Sequence, residues 1–478
     1  MLKSIVEPAS LALLLLAWPL LLNLFSIVKA KSRSLFYTIT IGSSAGLALV
    51  TFIYGPVAEP IRISRWIAFS LDTPSWIFVI LVYLCWSITL IYCMGYVSNQ
   101  FASKAETFHR FMSATLGLSI GAGMADNFFT LLLFYLAAIP TIMPLLALRN
   151  DDASRKAARF YIHSTIWPAL FIATPVIAFS FPLDQPFEQI HIQQMGWSHQ
   201  KAAIVLALII VGLSKNCVAP FHLWLPRSAI APAPVTAMIH SVAAVQVASI
   251  ALFKIAKYVY GVELLSELNN HFLETGWLLY LCGCTAMYTA FRAWRSQDLK
   301  QRFSFSTVGQ LSYIITALVI GTPQSMQGAM LHIVTHSIAK LNLFFCAGAY
   351  LTSFGSVQAP QVAAAIPGRR WLGLTAILAG LSIGGFPFLA GYYSKDIMLL
   401  EEIHRHHYSA AGFLLVGSLL NFVYIYPLIR ATFRKATPAT PKSTPLPFAM
   451  TLAILICTTL IIALSIFAYS TMRYIHLS

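Results

Sequence analysis

Charged residues are scarce in this sequence. Asp, Glu, Lys and Arg make up 10% of the 478 residues, whereas an average soluble protein carries roughly 25%. Acidic residues are the scarcest, with 16 Asp and Glu against 31 Lys and Arg, while hydrophobic residues reach 58%. A soluble fold is therefore excluded. The basic residues lie in short gaps between apolar runs and not on one patch, so we expect no nucleic-acid partner.

Cysteine is also sparse, and its spacing excludes the common cofactor sites. The cysteines lie within or beside apolar runs, with no CxxC pair and no Cys/His spacing that suits zinc or an iron–sulfur cluster. We expect small packing residues, and we expect no cofactor, no metal and no redox centre. The seven are Cys85, Cys93, Cys217, Cys282, Cys284, Cys346 and Cys457.

Hydrophobic runs near twenty residues recur from end to end, each long enough to cross a hydrocarbon core of about 30 Å. The predicted class is an all-α, polytopic membrane protein with about 14 transmembrane helices. The first run is predicted to be a retained helix, because no cleavage pattern follows it. The spans are predicted near residues 9–28, 35–54, 75–95, 110–124, 127–148, 160–181, 200–219, 234–258, 275–293, 303–321, 325–352, 371–400, 410–430 and 447–470.

The connections on the two sides differ in basic charge. Those after odd-numbered spans hold about twenty Lys and Arg and the other side about eight, and short cytoplasmic loops are enriched in these residues. We therefore predict a multi-pass protein of the inner (plasma) membrane with both termini on the periplasmic or exterior side. The basic cytoplasmic face would suit an acidic partner or anionic lipid.

Two stretches interrupt the helical pattern inside apolar regions, at residues 215–220 and 384–391. Paired interrupted helices are typical of transporters with inverted repeats, in which unwound backbone lines a polar cavity. Gly and Pro kinks without function are also common in membrane helices. The breaks alone therefore leave both interpretations open.

Three of the lysines that fall inside apolar spans demand an explanation, namely Lys215, Lys340 and Lys395. A charged side chain at mid-bilayer costs roughly 2.5–3.5 kcal/mol on insertion scales, so each lysine needs a partner, water or a function. Lys395 precedes Asp396, and a nearby carboxylate favours the charged form. The alternative for each lysine is snorkelling to the interface.

The eleventh span carries His332, His336 and Lys340 at spacings of four, which places them on one helix face about 6 Å apart along the axis. Such groups, linked by water, can pass protons by hopping. His240, in the eighth span, adds another titratable group. A polar contact between helices is the plain alternative, and a metal site is disfavoured because no third ligand is in view.

Together these motifs resemble the antiporter-like proton-translocating subunits shared by respiratory complex I, membrane-bound hydrogenases and Mrp-type cation/proton antiporters. The resemblance covers roughly Asp72 to Arg434. Besides the histidine–lysine ladder of the eleventh span, it rests on residues 215–226 (KNCVAPFHLWLP), 231–240 (APAPVTAMIH), 298–313 (DLKQRFSFSTVGQLSY) and 387–396 (PFLAGYYSKD).

The resemblance implies two inverted five-helix repeats with broken helices 7 and 12, and no bound cofactor. The implied divisions are residues 1–109 for helices 1–3, 110–258 for the first repeat, 275–434 for the second, and 435–478 for a linker and helix 14. It also implies a central axis along which lysines and histidines relay protons. The implied relay residues are Lys215, His240, His332, His336, Lys340 and Lys395. Asp396 and Asp298 are supporting residues, and we expect Asp298 to be a structural tie at the start of the tenth span.

Two positions depart from the family pattern. The fifth helix usually carries a glutamate that pairs with the seventh-helix lysine, and residues 126–137 (DNFFTLLLFYLA) put Tyr135 and Leu136 there. Gln246 stands at an eighth-helix position that is lysine in some relatives. An altered pump residue suits inward proton leakage better than tightly coupled pumping.

We therefore expect a proton-conducting, or cation/proton antiporting, membrane subunit of a larger complex, with no catalytic site of its own. Its expected partners are other membrane or soluble subunits, the lipid bilayer, protons and, as an alternative ion, Na⁺. One alternative is the membrane subunit of a proton-driven inorganic-carbon uptake system with a soluble carbonic-anhydrase-like partner. Another is a pump module of a quinone or hydrogenase oxidoreductase. A third is a membrane anchor with a vestigial relay.

Overall fold

The computed structural model describes residues 7–25, 33–437, 441, 443–468 and 470. Both chain ends, residues 26–32 and residues 438–440 and 442 of the proline-containing linker that precedes the last span lie outside the described residues. The predicted side of the termini therefore stays a prediction.

Helices account for most of the described chain. They are α1 (Pro8–Phe25), α2 (Arg33–Tyr54), α3 (Thr73–Gln100), α4 (Ala105–Gly123), α5 (Phe128–Leu146), α6 (Asp152–Ser180), α7 (His199–Gly212), α8 (Trp224–Ser228), α9 (Ala233–Tyr260), α10 (Val262–Leu268), α11 (Trp277–Arg295), α12 (Leu299–Ile320), α13 (Pro323–Phe354), α14 (Ala359–Ala365), α15 (Arg370–Gly384), α16 (Ala390–His404), α17 (Tyr408–Phe433) and α18 (Phe448–Ile466).

A helix or a pair of helices lies over each predicted span, and in the described residues 9 helices are long and apolar enough to cross a membrane. Two shorter apolar helices, Ala9–Leu22 and His199–Gly212, add to these. The all-α polytopic class is confirmed, whereas the number of crossings stays a prediction.

Side-chain caps set where several helices begin. The Asp72 carboxylate accepts the Ser75 backbone N–H (3.1 Å) ahead of α3, and the Asn127 amide oxygen accepts the Thr130 N–H (2.8 Å) ahead of α5. Each cap satisfies one of the first-turn N–H groups that have no partner inside the helix. The capping residues thus fix the start of helices that carry buried polar groups.

One hairpin interrupts the helical fold and was not predicted. Strands β1 (Val57–Arg62) and β2 (Ala68–Leu71) pair antiparallel between α2 and α3. The hairpin extends over the α4–α5 turn, where the Ser70 N–H donates to the Met124 carbonyl (2.7 Å) and the Asp126 N–H to the Ala68 carbonyl (3.0 Å). This short, arginine-containing segment lacks the alternation that indicates a strand in sequence.

Loops divide between two faces of the bundle, a basic face and an opposite face. The basic face carries the connections at residues 101–104, 147–151, 229–232, 296–298 and 355–369. The opposite face carries those at 55–72, 124–127, 181–198, 261–276, 321–322 and 405–407.

The starts of α5 and α12 are tied down in the same way on opposite faces. Asn127, before α5, bridges to Pro186 in the segment that follows α6. Asp298, before α12, bridges to Gln358 in the segment that follows α13. Two inverted repeats predict this correspondence, because an inversion exchanges the faces. The repeat boundaries at 110–258 and 275–434 stay a prediction.

Three long helices are the most deeply buried of the described bundle. Every residue of α12 except Gln301 is buried, and α9 and α13 are almost as enclosed. By contrast, only about a third of the apolar stretch of α17 and of α18 is buried, and their outward residues include Leu419 and Ile466. The lysines and histidines therefore lie in the centre of the bundle, with apolar helices outside.

Candidate functional site

Two helices are broken inside the bundle, as the sequence predicts. The first break separates α7 from α8 and includes Cys217 in the left-handed region (φ 60°). The second separates α15 from α16 and starts at Gly385 (φ 83°), where an added Cβ would lie 3.0 Å from Lys395 Cδ. Glycine at this position keeps the turn unstrained and leaves room for the lysine.

Lys215 lies at the first break with its side chain fully buried. Its ammonium lies 4.6 Å from the centroid of the Tyr135 ring, and its backbone N–H donates to the Tyr135 hydroxyl (3.3 Å). Leu136, the other residue considered for the position of the missing glutamate, is only partly buried. Of these two residues, Tyr135 is therefore the one that contacts Lys215, and it offers an aromatic face.

His240 lies in a π-helical turn of α9 and is fully buried. Its Nε2 atom is 3.3 Å from the Ser228 hydroxyl and 3.2 Å from the Ser304 hydroxyl. Lys300 lies one turn before Ser304 on α12, and its buried ammonium donates to the Ala231 carbonyl. Lys300, Ser304 and His240 thus form a polar series that runs inward from the basic face.

The predicted ladder is buried along one face of α13. The Lys340 ammonium donates to the Phe303 carbonyl (2.9 Å), and the His332 and His336 rings lie 6.2 Å apart between centroids. His336 Nδ1 is 3.1 Å from the Gln246 amide nitrogen. Gln246 therefore links α9 to the ladder at the position that is lysine in some relatives.

His332 connects the ladder to the second broken helix. Its Nδ1 is 2.9 Å from the Ser394 hydroxyl, and its Nε2 is 3.1 Å from the Gln310 amide oxygen. Ser394 directly precedes Lys395 on α16. The structure thus brings the predicted ladder and the predicted twelfth-helix lysine together.

Lys395 is buried beside the second break. Its ammonium donates to the Ser418 hydroxyl (2.9 Å) and the Gly384 carbonyl (3.5 Å), and lies 5.1 Å from the centroid of the Tyr313 ring. Asp396 is only partly buried, and the described residues include no ion pair between it and Lys395. Consecutive helical residues point about 100° apart, which separates the two side chains.

The Asp298 carboxylate accepts one backbone and one side-chain hydrogen bond. One carboxylate oxygen accepts the Gln301 N–H (2.9 Å) at the start of α12, and the other accepts the Gln358 amide (3.4 Å). These contacts agree with the expected structural tie.

Comparison with known proteins identifies the family. Residues 125–421 match the family described as "NADH:quinone oxidoreductase/Mrp antiporter, TM". The chain belongs to this family.

The A/B subunit of a K(+)/H(+) antiporter, named as probable, from Rhizobium meliloti (strain 1021) is 26% identical over 344 residues, covering 70% of this chain and 33% of the relative. The A1 subunit of an Na(+)/H(+) antiporter from Staphylococcus aureus (strain JH9) is 24% identical over 431 residues, covering 83% and 52%. The chain thus spans a third to about half of these relatives.

Solved structures of low sequence identity share the fold. A chain of the Mrp complex from Dietzia sp. DQ12-45-1b superposes with a TM-score of 0.84 at 17% identity, covering 98% of this chain and 97% of that one. A chain of respiratory complex I from Thermus thermophilus gives 0.80 at 19% identity, with 97% of each chain covered. The membrane-bound sulfane sulfur reductase, an archaeal respiratory membrane complex, gives 0.82 at 19%, covering 97% and 96%. The predicted resemblance is confirmed, and this antiporter-family chain is a multi-pass membrane protein.

Several polar atoms of this family member are buried without a hydrogen-bond partner in the described residues. A buried polar atom of this kind costs about 1–3 kcal/mol unless water or another group satisfies it. Those near the lysines and histidines are Lys215 Nζ, both amide atoms of Asn216, His240 Nδ1, Gln246 Oε1 and His336 Nε2. They lie at or next to predicted relay positions of the first half and of the ladder.

Each face of the bundle also has a cavity. On the basic face a cavity of about 600 Å³ is bounded by Lys300 and Asp298 together with Arg149, Lys156 and Arg227. On the opposite face a cavity of about 330 Å³ is bounded by Asn269, His407 and Tyr408 among others. Within the described residues no group of three or more His, Cys, Asp or Glu side chains could hold a metal ion.

Several further buried charged residues, Lys254, Lys300 and Glu402 among them, were not predicted from the sequence. Lys254 forms an ion pair with Asp72 (3.3 Å) and donates to the Ala125 carbonyl (2.7 Å) near the opposite face. Lys300 and Glu402 are also buried. All three lie near the ends of predicted spans, where a charge in sequence is indistinguishable from a loop charge. The position of Lys254 inside the predicted span 234–258 was a usable signal.

Proposed function

We propose that this chain is a proton-conducting membrane subunit of a larger complex, in which protons move along the lysines and histidines of the bundle centre. One observation carries the proposal: titratable side chains are buried in the bundle from the first helix break to the second. The members of this series are Lys215, His240, Lys340, His336, His332 and Lys395.

Short polar contacts connect some of these side chains to neighbouring polar groups. The basic-face cavity is bounded by Lys300, and Ser304, one turn further along α12, contacts His240. Beyond His240, the ladder of α13 leads to Lys395 through Ser394. Buried water at the unpartnered atoms would complete the gaps, because proton hopping needs hydrogen-bonded neighbours and polar cavities take up water.

The first-half lysine joins the series through α9. The turn Ser214–Asn216 packs on the helix segment that contains Gln246, and Gln246 contacts His336. Lys215 Nζ and Gln246 Oε1 both lack a partner among the described residues. Water between them would extend the path from the ladder to Lys215.

The proposal also covers the partner subunits of this chain, the ion that it exchanges and the side of the membrane that its basic face occupies. The relatives are named as subunits of K(+)/H(+) and Na(+)/H(+) antiporters, and structural neighbours come from multisubunit complexes. We extend this to partner subunits for the present chain, with Na⁺ or K⁺ as the exchanged ion if transport is coupled. The basic face is assigned to the cytoplasm of the inner (plasma) membrane, because positive loops favour that side.

Tyr135 favours a second candidate, the membrane subunit of a proton-driven inorganic-carbon uptake system. A carboxylate beside Lys215 would stabilise the charged form of the lysine, so that the lysine would hold its proton tightly. An aromatic ring stabilises the charged form less, so the proton is held more weakly. Weak retention suits downhill proton flow that drives a partner. Co-purification with a single soluble zinc protein would favour this candidate, and co-purification with redox subunits would favour the oxidoreductase pump module.

Proton flux into liposomes tests the main proposal. The full chain, purified with the subunits that accompany it, is compared with Lys340→Met, which removes the central titratable group but keeps the length of the side chain. Flux should fall by about 100-fold, the size of effect that a positioned proton-transfer group supplies. Lys201→Met, at a lysine stacked on Trp197 near the opposite face, is the control and should conduct normally. Wild-type flux in Lys340→Met would favour the membrane anchor.

A further inference from the structure

The helix that carries Lys395 also carries a buried carboxylate. Glu402 lies seven residues after Lys395 on α16, which puts it on the same helix face about 10 Å nearer the opposite face. Its side chain is 1% exposed, and its Oε2 atom has no hydrogen-bond partner in the described residues. A buried carboxylate without a partner is costly, so packing alone gives no reason for it.

The adjacent Glu401 shows what a structural carboxylate does at the same level. Its Oε2 accepts the Thr322 hydroxyl (2.7 Å) at the start of α13, and its Oε1 lies 3.7 Å from His404 Nδ1. Glu401 therefore links α16 to α13. Glu402 points into the bundle and makes no such link through Oε2.

Tyr313, on α12, lies beside Lys395. Its ring centroid is 5.1 Å from the Lys395 ammonium, and its hydroxyl lies against Gly417 of α17, next to the Ser418 that Lys395 contacts. A phenol hydroxyl both donates and accepts a hydrogen bond, so it can pass a proton in one direction by exchanging its own. Tyr313 is thus placed to take a proton from the lysine, and buried water would complete the distance to the carboxylate.

An opening to solvent follows directly after Glu402. The backbone N–H of His407 donates to the Glu402 carbonyl (2.8 Å), and His407 Nε2 is 2.6 Å from the Asn269 amide oxygen. Both His407 and Asn269 bound the opposite-face cavity of about 330 Å³. Burial and the neighbouring Arg405 and His406 lower the pKa of His407, so its neutral ring does not oppose an arriving proton.

We propose that Glu402 is the exit group of the relay, which takes a proton from Lys395 through Tyr313 and releases it into the opposite-face cavity beside His407. This inference rests on the proposed function. The transfer is balanced: Lys395 loses one proton, the Glu402 carboxylate gains it, and water in the cavity then accepts it.

Matched glutamine variants test the exit group in the liposome flux assay. Glu402→Gln keeps the shape of the side chain but cannot exchange a proton, and flux should fall by about 100-fold with an unchanged thermal unfolding temperature. Glu401→Gln should conduct within about twofold of wild type, a change below 1 kcal/mol in barrier height. Tyr313→Phe should lower flux, and Glu402→Asp should retain part of it.

The Lys340→Met variant separates the two proposals. If Lys340→Met is blocked but Glu402→Gln conducts like wild type, the exit assignment is wrong and the proposed function stands. If Lys340→Met conducts like wild type, the proposed function is wrong and the exit assignment falls with it.

Infrared pH titration of the purified chain gives a readout that needs no flux: a carboxyl band should disappear in Glu402→Gln and persist in Glu401→Gln. An unchanged spectrum in Glu402→Gln would overturn the inference.

Discussion

The two lysines at the helix breaks differ in what stabilises their charge. Both are buried, and each lies over a tyrosine ring, at 4.6 Å for Lys215 and 5.1 Å for Lys395. Lys395 also donates to a hydroxyl and a backbone carbonyl, whereas the ammonium of Lys215 has no hydrogen-bond partner in the described part of the chain. The second-half site therefore stabilises the charged lysine better than the first-half site.

This difference assigns distinct tasks to the two halves. A proton that arrives at Lys395 meets preformed acceptors and a buried carboxylate beyond them. A proton at Lys215 meets an aromatic face, which is worth about 0.5–2 kcal/mol. In a conducting subunit the first site would pass protons on, and the second would collect them for release.

The largest expected effect comes from removing either lysine. If both sites lie on one series path, Lys215→Met and Lys395→Met should each lower proton flux into liposomes by about 100-fold or more. Loss of flux in Lys395→Met alone would remove the first half from the path and turn Lys215 into a side branch. Thermal unfolding of both variants in detergent controls for misfolding.

A carboxylate introduced at Tyr135 should abolish the difference between the sites. In Tyr135→Glu an opposite charge lies about 5 Å from the ammonium, which stabilises the charged lysine by about 3 kcal/mol at an effective dielectric constant of 20. Release from Lys215 then becomes slower, and flux should fall by about tenfold, since part of the charge is screened by water. Tyr135→Gln provides the neutral control. Faster flux in Tyr135→Glu would contradict the idea that weak retention aids conduction.

Replacement of each tyrosine by phenylalanine separates their roles. Tyr135→Phe removes the acceptor of the Lys215 backbone N–H and should cost about 1 kcal/mol of stability, with little change in flux. Tyr313→Phe should lower flux with little change in stability, because its hydroxyl serves proton transfer. Identical behaviour of the two variants would argue against different tasks. Flux and unfolding temperature, measured on the same preparations, decide between these outcomes.

The smallest expected effect concerns the side-chain caps of Asn127 and Asp298, the two residues that also bridge to neighbouring segments. Asn127→Ala and Asp298→Ala each remove a cap at the start of a helix and should lower stability by about 1 kcal/mol. Because the bridges correspond between the halves, the two losses should be similar in thermal unfolding. A much larger loss for Asp298→Ala would mark that residue as more than a structural tie.

The sequence predicted the features that depend on patterns along the chain. The interruptions beside Lys215 and Lys395 and the spacing of His332, His336 and Lys340 are local properties, and the structure contains all of them. The resemblance to a family supplied the arrangement that brings them together.

Features that depend on helix rotation and on depth were beyond the sequence. Tyr135 and Leu136 are neighbours, and only packing decides which one contacts Lys215. Glu402 and Lys300 lie near helix ends, where burial depends on how the loops fold back. A pattern along one helix contains no information about these distances between helices.

The enclosure of α12 also bears on how this protein can change over time. With every residue but Gln301 buried, the helix has no side on which substitutions are free of close neighbours. A library that samples all single substitutions should therefore find α12 intolerant on every face. On α17, outward positions such as Leu419 and Tyr426 should accept most apolar residues. Sequence drift in this lineage should accumulate on the outer helices, around a core helix that stays nearly fixed.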